Sequence, residues 1–128
     1  MASFVLDASA VLALLNKEPG GDVVRTSLRE ATISAVNLAE VGTKLSDQGA
    51  SQSDIRDALR FLELSVEPFD EDAAIASTEL RPMTRHRGLS LGDRVCLALA
   101  ARHEIPVLTA DRNWSTLDLG VDIRLIRE

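Results

Sequence analysis

The sequence predicts one α/β domain, a three-layer α/β/α sandwich around a parallel sheet of about five strands. Short apolar runs alternate along the chain with segments of helical periodicity, as βαβ units require. The length of 128 residues suits a single domain with a proper hydrophobic core. Hydrophobic residues make up 45% of the chain and aromatic residues only 3%, so Leu, Val, Ile and Ala must form that core.

The first half of the chain predicts two strands and three helices. The "EPGGD" stretch breaks the chain after the first helix, and Ser34 is a candidate N-cap for a helix that keeps Leu38, Val41 and Leu45 at helical spacing. The predicted elements are a buried strand over 3–7, helices over 9–16 and about 22–29, a short strand over 32–34, and a helix from 34 to about 49.

The second half predicts three longer helices, a short helix or turn, and three strands. "SQSDIRDALRFLEL" is amphipathic, and "LSLGDRVCLALAARHE" is apolar nearly all round, as a central buried helix would be. The predicted elements are a helix over 51–64, a strand over 65–69, helices over 70–80 and 89–104, a strand over 105–111, a turn or short helix over 112–117, and a last strand over 121–126.

Targeting signals and a disulfide are not expected. The first residues lack the basic and apolar regions of a signal peptide, and the longest apolar runs are far below the ~20 residues that span a bilayer. We therefore expect no membrane segment and a cytoplasmic protein. Cys96 is the single cysteine and lies inside "VCLALAA", which favours a small buried hydrophobe over a reactive thiol.

The charge is unevenly distributed. The net charge of −6 argues against loose, sequence-independent binding of nucleic acid. The last 48 residues nevertheless carry eight bases and six acids. All eight of these bases are arginines. Three of them lie in "RPMTRHRG", which is either a solvated loop or an edge that binds phosphate. The candidates for phosphate contacts are Arg81, Arg85, Arg87 and Arg112.

Four acidic residues occupy positions that a parallel sheet brings to one edge. Asp7 and Asp111 close the first and fourth predicted strands. Glu40 lies one and a half turns into the helix after the second strand, and Asp93 lies in the first turn of the apolar helix. Ligands of doubly wound sheets bind beyond the carboxyl ends of the strands, where the strand order reverses. All four carboxylates are therefore predicted to face one cleft.

Each acid also has a structural interpretation. Asp7 and Asp111 can be helix N-caps, worth ~1 kcal/mol each, and Asp93 can form a capping box with Ser90. Glu40 can lie on a solvated helix face, although it is too far into its helix to be a cap. Helix caps need not lie at the same edge of a sheet, so the common location of the four acids favours a binding or catalytic site.

Electrostatics predicts what such a site would bind. Two carboxylates 4 Å apart repel by about 4 kcal/mol at an effective dielectric of 20, so four acids with no nearby lysine need protons or cations. Mg²⁺ and Mn²⁺ prefer such oxygen ligands, and paired metal ions support phosphodiester hydrolysis. The hydroxyls of Ser9 and Thr109 could support the ligands, or could equally serve only in local capping.

The sequence resembles the PIN-domain ribonucleases, specifically the VapC-type toxins of toxin–antitoxin pairs. The matching stretches are "FVLDASAVLALL", "ISAVNLAEV" with Glu40, "LSLGDRVCLALA" with Asp93 and "VLTADRNW" with Asp111, and the resemblance covers the whole chain as one domain over 1–128. It implies a PIN-like fold and a Mg²⁺- or Mn²⁺-dependent endoribonuclease that cleaves cellular RNA and arrests growth.

The resemblance also implies residue roles and partners. Asp7 and Asp93 would be the principal metal ligands and catalytic residues, with Glu40 and Asp111 completing the site around one or two ions. Asn113 stands where some relatives carry another acid. A homodimer is implied, and an antitoxin whose C-terminal segment occupies the groove near the acids. No organic cofactor is implied.

Other functions fit the sequence less well. A haloacid-dehalogenase-like phosphatase would need a second aspartate where Ser9 stands. Both this phosphatase and a receiver domain would also need a lysine after a later strand, whereas the only lysines are Lys17 and Lys44. No G-x-S-x-G motif supports a serine hydrolase. The remaining alternative is a catalytically silent PIN-like module that binds RNA or protein.

Overall fold

The computed structural model describes residues 2–128 and contains a five-stranded sheet. All four strand pairings are parallel, and the order across the sheet is β3-β2-β1-β4-β5. The strands are β1 (Phe4–Leu6), β2 (Ala31–Ser34), β3 (Ser65–Glu67), β4 (Val107–Thr109) and β5 (Ile123–Leu125). The predicted parallel sheet of about five strands is confirmed.

Seven α-helices connect the strands within residues 2–128. They are α1 (Ala8–Leu15), α2 (Gly21–Ser27), α3 (Ala35–Asp47), α4 (Gln52–Phe61), α5 (Glu71–Glu79), α6 (Arg81–Thr84) and α7 (Leu91–His103). Two short 3₁₀ helices occupy Leu28–Glu30 and Arg112–Thr116. The turn predicted after the fourth strand is therefore the second 3₁₀ helix.

The sheet separates two hydrophobic cores, because successive side chains of a strand point to opposite faces. In β1, Leu6 packs with α1, α2, α3 and α4, whereas Val5 packs on the other face with α7 and Trp114. In β4, Leu108 and Val107 divide in the same way. Helices thus cover both faces, which confirms the predicted three-layer sandwich.

Side-chain caps begin several helices where the sequence predicts them. The Ser34 hydroxyl accepts a hydrogen bond from the N–H of Val36 at 3.1 Å. Asp70 accepts from the N–H of Ala73 at 2.9 Å, and Ser51 accepts from that of Asp54 at 3.0 Å. Each cap satisfies a backbone donor that the first helical turn leaves unpaired.

Two local predictions differ from the structure. The "RPMTRHRG" stretch is not entirely a loop, because α6 begins within it and the buried Thr84 hydroxyl donates to the carbonyl of Leu80 at 2.8 Å. The amphipathic helix predicted to reach residue 64 ends at Phe61, and Glu63 has a positive φ of 50°. A left-handed residue stops the helix there before β3 begins.

The central helix α7 has the burial that its composition predicts. Cys96 and Leu97 are fully buried in it, and Cys96 is a free thiol. Burial, together with the charges of Asp7, Asp93 and Glu40, raises the pKa of the Cys96 thiol well above its ordinary value. Cys96 is therefore an inert core residue, as expected.

No helix within residues 2–128 combines the length and apolar character that a membrane span requires.

The sequence predicts dimerisation through an apolar patch drawn from the first helices and from "IRDALRFLEL", but most apolar side chains of that segment are used inside the domain. In "IRDALRFLEL", Ile55 and Leu62 are buried in the core, and Leu59 packs against it. Phe61 is the exception and is 86% exposed. Dimerisation of the chain stays a prediction, with Phe61 as the apolar side chain that this segment leaves accessible.

Trp114 joins the second 3₁₀ helix to the core and provides a test of the fold. Trp114 is fully buried, so Trp114→Ala should lower the free energy of unfolding by about 3–5 kcal/mol through the cavity it leaves. Trp114→Phe should lower the free energy of unfolding by less, because a phenyl ring still fills part of the space. It also removes the indole N–H, which has no hydrogen-bond partner within residues 2–128. Urea unfolding followed by circular dichroism measures both. Met83→Ala, at a side chain 57% exposed, is the control and should change little.

Candidate active site

The candidate site lies where the chain reverses direction across the sheet. The chain runs from β1 outward through β2 to β3, and then returns to the other side of β1 to form β4 and β5. Asp7 directly follows β1, and Asp111 lies two residues beyond β4. Adjacent parallel strands end at the same edge, so this is the switch point at which such folds bind ligands.

All four predicted acids line one cleft of about 210 Å³ at this edge. Glu40 comes from α3, which directly follows β2, and Asp93 comes from the first turn of α7, which precedes β4. The complete lining is Asp7, Ala8, Ser9, Leu12, Asn37, Glu40, Lys44, Asp93 and Asp111. The prediction of a common cleft therefore agrees with the structure.

Both oxygens of the buried Asp7 carboxylate accept hydrogen bonds. Oδ1 accepts from the Ser9 hydroxyl at 2.7 Å and from the N–H of Ala10 at 2.9 Å, while Oδ2 accepts from the Thr109 hydroxyl at 2.7 Å. The hydroxyls of Ser9 and Thr109 in turn accept from the N–H groups of Ala110 and Asp111, at 2.9 and 3.0 Å. Asp7 is thus tied to β4 as well as to its own helix.

Burial raises the free energy of the ionised Asp7 carboxylate. Asp7 is 6% exposed, and desolvation raises its pKa from 3.8 to about 6. The hydrogen bonds from Thr109, Ser9 and Ala10 oppose this shift, and the nearby charge of Asp93 adds to it. A cation in the cleft would favour the ionised form, as any opposite charge close to a carboxylate does.

Glu40 is held against the start of α7. Its Oε1 accepts a hydrogen bond from the Asn37 amide at 2.8 Å, and the same amide donates to the carbonyl of Gly92 at 3.0 Å. A Cβ added to Gly92 would lie only 2.6 Å from Cδ of Glu40. The glycine before Asp93 is therefore what allows the Glu40 carboxylate to lie this close to α7.

The capping interpretations of the other acids also agree with the structure. Asp93 and Ser90 form the reciprocal capping box of α7, with N···O distances of 3.0 and 3.1 Å. Asp111 caps the second 3₁₀ helix by accepting from the N–H of Asn113 at 3.0 Å. Asp7 likewise caps α1. Each carboxylate keeps lone pairs free, so capping and ligand binding are compatible.

The donor set fits a divalent metal ion in its chemistry. Acidic residues of four separate segments line the cleft together with Asn37, whose buried Oδ1 has no hydrogen-bond partner within residues 2–128. These hard oxygens are what Mg²⁺ and Mn²⁺ prefer. Among residues 2–128, however, no three Asp, Glu, His or Cys side chains converge closely enough to hold one ion as they stand. The fit therefore rests on donor type and on the shared cleft.

Three residues of the site were missed by sequence reasoning. Asn37 lies one turn before Glu40, and Gly92 directly precedes Asp93, so proximity to a candidate acid was the available signal. Lys44 lies one turn after Glu40 and lines the cleft, which corrects the assumption that no lysine is near the acids. Its position four residues after Glu40 places both on one helix face, a signal present in the sequence.

The predicted phosphate contacts have different surroundings. Arg81, Arg85 and Arg112 are exposed. Arg87 is also exposed, but its guanidinium donates to the carbonyl of Asn113 at 3.2 Å and to the hydroxyl of Thr116. Arg87 thus ties the loop before α7 to the second 3₁₀ helix.

Asn113 is not part of the cleft lining. Its side chain is exposed, and its backbone joins the cap of Asp111 and the contact from Arg87. Asn113 therefore supports the position of Asp111 through its backbone.

The fold and the cleft define an α/β domain with an acidic site at the switch point of a parallel sheet. A family model described as "PIN domain" matches residues 4–119, so the chain belongs to the PIN-domain family. A search of curated proteins finds no match.

Solved structures of toxin–antitoxin proteins share the fold along nearly the whole chain. DNA-bound VapBC from Salmonella typhimurium is 20% identical with a TM-score of 0.77, covering 98% of this chain and 99% of that one. VapBC-5 from Mycobacterium tuberculosis, from the VapBC family of toxin–antitoxin systems, is 26% identical with a TM-score of 0.60 and the same coverage of both chains. VapC20 from Mycobacterium tuberculosis, a sarcin-ricin loop cleaving toxin, is 17% identical with a TM-score of 0.68, covering 88% of this chain and 93% of that one. The chain is thus a PIN domain structurally similar to VapC toxins.

The raised pKa of Asp7 predicts a pH dependence of stability in EDTA. Between about pH 4 and pH 6 the folded protein holds a proton on Asp7 that the unfolded chain has released. Stability should therefore fall as the pH rises through this window, by at most about 3 kcal/mol for a shift of this size. Urea unfolding at a series of pH values measures it.

Asp7→Asn should remove this dependence, since it has no charge to desolvate. At pH 7 in EDTA the variant should be as stable as the wild type or more stable. Asp118→Asn, at an exposed acid outside the cleft, is the matched control. A large loss of stability in Asp7→Asn would mean that the cap contributes more than the buried charge costs.

Proposed function

We propose that this protein is a Mg²⁺- or Mn²⁺-dependent endoribonuclease and the toxin of a VapBC-type toxin–antitoxin pair. It would hydrolyse phosphodiester bonds in cellular RNA and arrest growth, acting in the cytoplasm. The observation that carries the proposal is the gathering of four carboxylates, from four separate segments of a PIN domain, around one cleft at the switch point of the sheet.

Asp7 and Asp93 would be the principal metal ligands, with Glu40 and Asp111 completing the set around one or two ions. A divalent cation bound there would supply an activated water for attack on phosphorus and charge stabilisation of the departing oxygen. The donor chemistry of the cleft and the unpaired Oδ1 of Asn37 support this assignment.

The neighbouring side chains would orient the carboxylates. Ser9 and Thr109 donate to opposite oxygens of Asp7 and so limit rotation of its carboxylate. The capping bonds of Asp93 and Asp111 restrict these side chains in the same way. Ligands held in place before binding lose less conformational freedom when the ion arrives.

Basic side chains near the cleft would hold RNA phosphates. An acidic protein repels a polyanion unless local positive charge compensates. Lys44 in the cleft lining and the exposed Arg81, Arg85 and Arg112 are available for this role. We retain Arg87 as a candidate, although its present hydrogen bonds hold the second 3₁₀ helix.

The likeness to VapBC structures supports an antitoxin partner, and a homodimer is proposed beside it. The solved relatives include VapBC proteins bound to DNA and a toxin–antitoxin complex from Klebsiella pneumoniae. By analogy a VapB-type antitoxin would cover the cleft of this chain and inhibit it. The exposed Phe61 offers apolar area for contact with another chain.

A catalytically silent PIN-like binding module is the alternative. Its support is that Asp7, Asp93 and Asp111 all serve as helix caps, which explains their positions without catalysis. Capping does not explain Glu40, which is held by Asn37 within α3.

Cleavage of total cellular RNA with Mg²⁺, Mn²⁺ or EDTA distinguishes the two functions. We expect cleavage with either ion and none in EDTA. Asp93→Asn should lower the cleavage rate at least about a hundredfold, because it removes a metal ligand. Asp118→Asn should cleave like the wild type. Cleavage that persists in EDTA, or no cleavage of any RNA with either ion, would refute the nuclease.

The salt dependence of RNA binding tests the phosphate contacts. Each phosphate contact to single-stranded nucleic acid contributes about 0.7 to the slope of log K against log salt concentration. In the Asp93→Asn background, which prevents cleavage, Arg85→Gln should therefore reduce this slope by about 0.7. Fluorescence anisotropy with a labelled single-stranded RNA measures the slope.

Arg85 is the cleaner choice because Arg87 also holds the second 3₁₀ helix. Arg56→Gln, at an exposed position of α4, removes the same charge away from the cleft and should leave the slope unchanged. Equal slopes for Arg85→Gln and Arg56→Gln would exclude a phosphate contact at Arg85.

A further inference from the structure

Asn37 is a buried amide at the junction of α3 and α7. It lies in the first turn of α3, three residues before Glu40, and is 1% exposed. Its two N–H groups donate to Oε1 of Glu40 at 2.8 Å and to the carbonyl of Gly92 at 3.0 Å. Both partners are pure acceptors, so the amide must present its nitrogen to them.

Gly92 completes this arrangement through its missing side chain. A Cβ at Gly92 would lie 2.6 Å from Oε1 and Cδ of Glu40, far inside normal contact distance. The Glu40 carboxylate therefore packs directly on the backbone of α7. We call these three residues, Asn37, Glu40 and Gly92, the α3–α7 bridge.

The carbonyl oxygen of Asn37 is not used within the bridge. This Oδ1 is buried and has no hydrogen-bond partner within residues 2–128, although Asn37 lines the acidic cleft. A buried acceptor without a hydrogen-bond partner destabilises the folded state. Packing of α3 against α7 alone would be served as well by an apolar residue, so the amide indicates a polar role.

We propose that Asn37 is a positioning residue for divalent-metal binding, acting by holding Glu40 in the cleft. The inference rests on the proposed function and adds a residue to it. The Asn37 amide restrains Glu40 through one N–H and anchors itself to α7 through the other.

A purely structural role for Asn37 makes a different prediction. If Asn37 acts through Glu40, removing Asn37 matters only while the Glu40 carboxylate is present. If Asn37 only packs α3 against α7, its removal changes the protein equally with or without that carboxylate. A double-mutant cycle between the two positions separates these cases.

The experiment measures Mn²⁺ affinity of the full chain by calorimetry, with electron paramagnetic resonance of free Mn²⁺ as a second method. Asn37→Ala should weaken binding about tenfold, as loss of a residue that orients a metal ligand typically does. In the Glu40→Gln background, Asn37→Ala should change the affinity by less than about twofold, because the group it positions is gone.

Two further variants keep the inference testable if Asn37→Ala is unstable. Gly92→Ala retains Asn37 but displaces Glu40, and should also weaken Mn²⁺ binding about tenfold. Gly92 has no positive φ, so alanine is compatible with its backbone. Thr43→Ala is the matched control on α3, because the exposed Thr43 hydroxyl only donates to the carbonyl of Ala39. It should bind Mn²⁺ like the wild type.

Two results would overturn the role of Asn37 and leave the nuclease proposal intact. One is that Asn37→Ala binds Mn²⁺ with wild-type affinity, and the other is that it weakens Mn²⁺ binding equally with Glu40 and with Gln at position 40. If the proposed function is wrong, the wild-type protein itself should bind no Mn²⁺. That result would refute both the nuclease proposal and the role of Asn37.

Discussion

The burial of the Asp7 carboxylate at the end of the central strand is the constraint around which the site is built. The strand β1 lies in the middle of the sheet, so a side chain that directly follows it has little access to water. Desolvation raises the pKa of Asp7 to about 6, even though two hydroxyls and a backbone N–H donate to it. Positive charge bound in the cleft would lower this pKa and favour the ionised carboxylate.

Local hydrogen bonds fix the positions of the four carboxylates, and a carboxylate that caps a helix can still bind a ligand. A helix that begins at the carboxyl edge of the sheet needs an acceptor for its first N–H groups. Aspartate supplies one oxygen to that task and keeps lone pairs for a ligand. Three of the four acids use this arrangement. Glu40 lies deeper in its helix, and there the amide of Asn37 takes over the positioning.

Positive charge lies in the segments of the chain that adjoin two of the acids. The arginines of residues 81–87 precede α7, which carries Asp93, and Arg112 directly follows Asp111. Arg87 connects these two segments through the second 3₁₀ helix. Lys44 brings a further cation to the rim on the Glu40 side. The net negative chain thus carries arginines in the segments next to Asp93 and Asp111, and one lysine in the cleft lining.

Composition and periodicity determined the parallel sheet, the covering helices and the acids of the site, because hydrophobic pattern and strand-end position are local properties. The family resemblance added the PIN class, which the family model shows. The ends of α4 and the short helix α6 were not foreseen, since a left-handed Glu63 and a buried Thr84 hydroxyl depend on tertiary neighbours. The bridge from Asn37 through Glu40 to Gly92 joins residues 55 positions apart. Only the packing of α3 against α7 could decide those contacts, because spacing along a chain does not specify which helices meet.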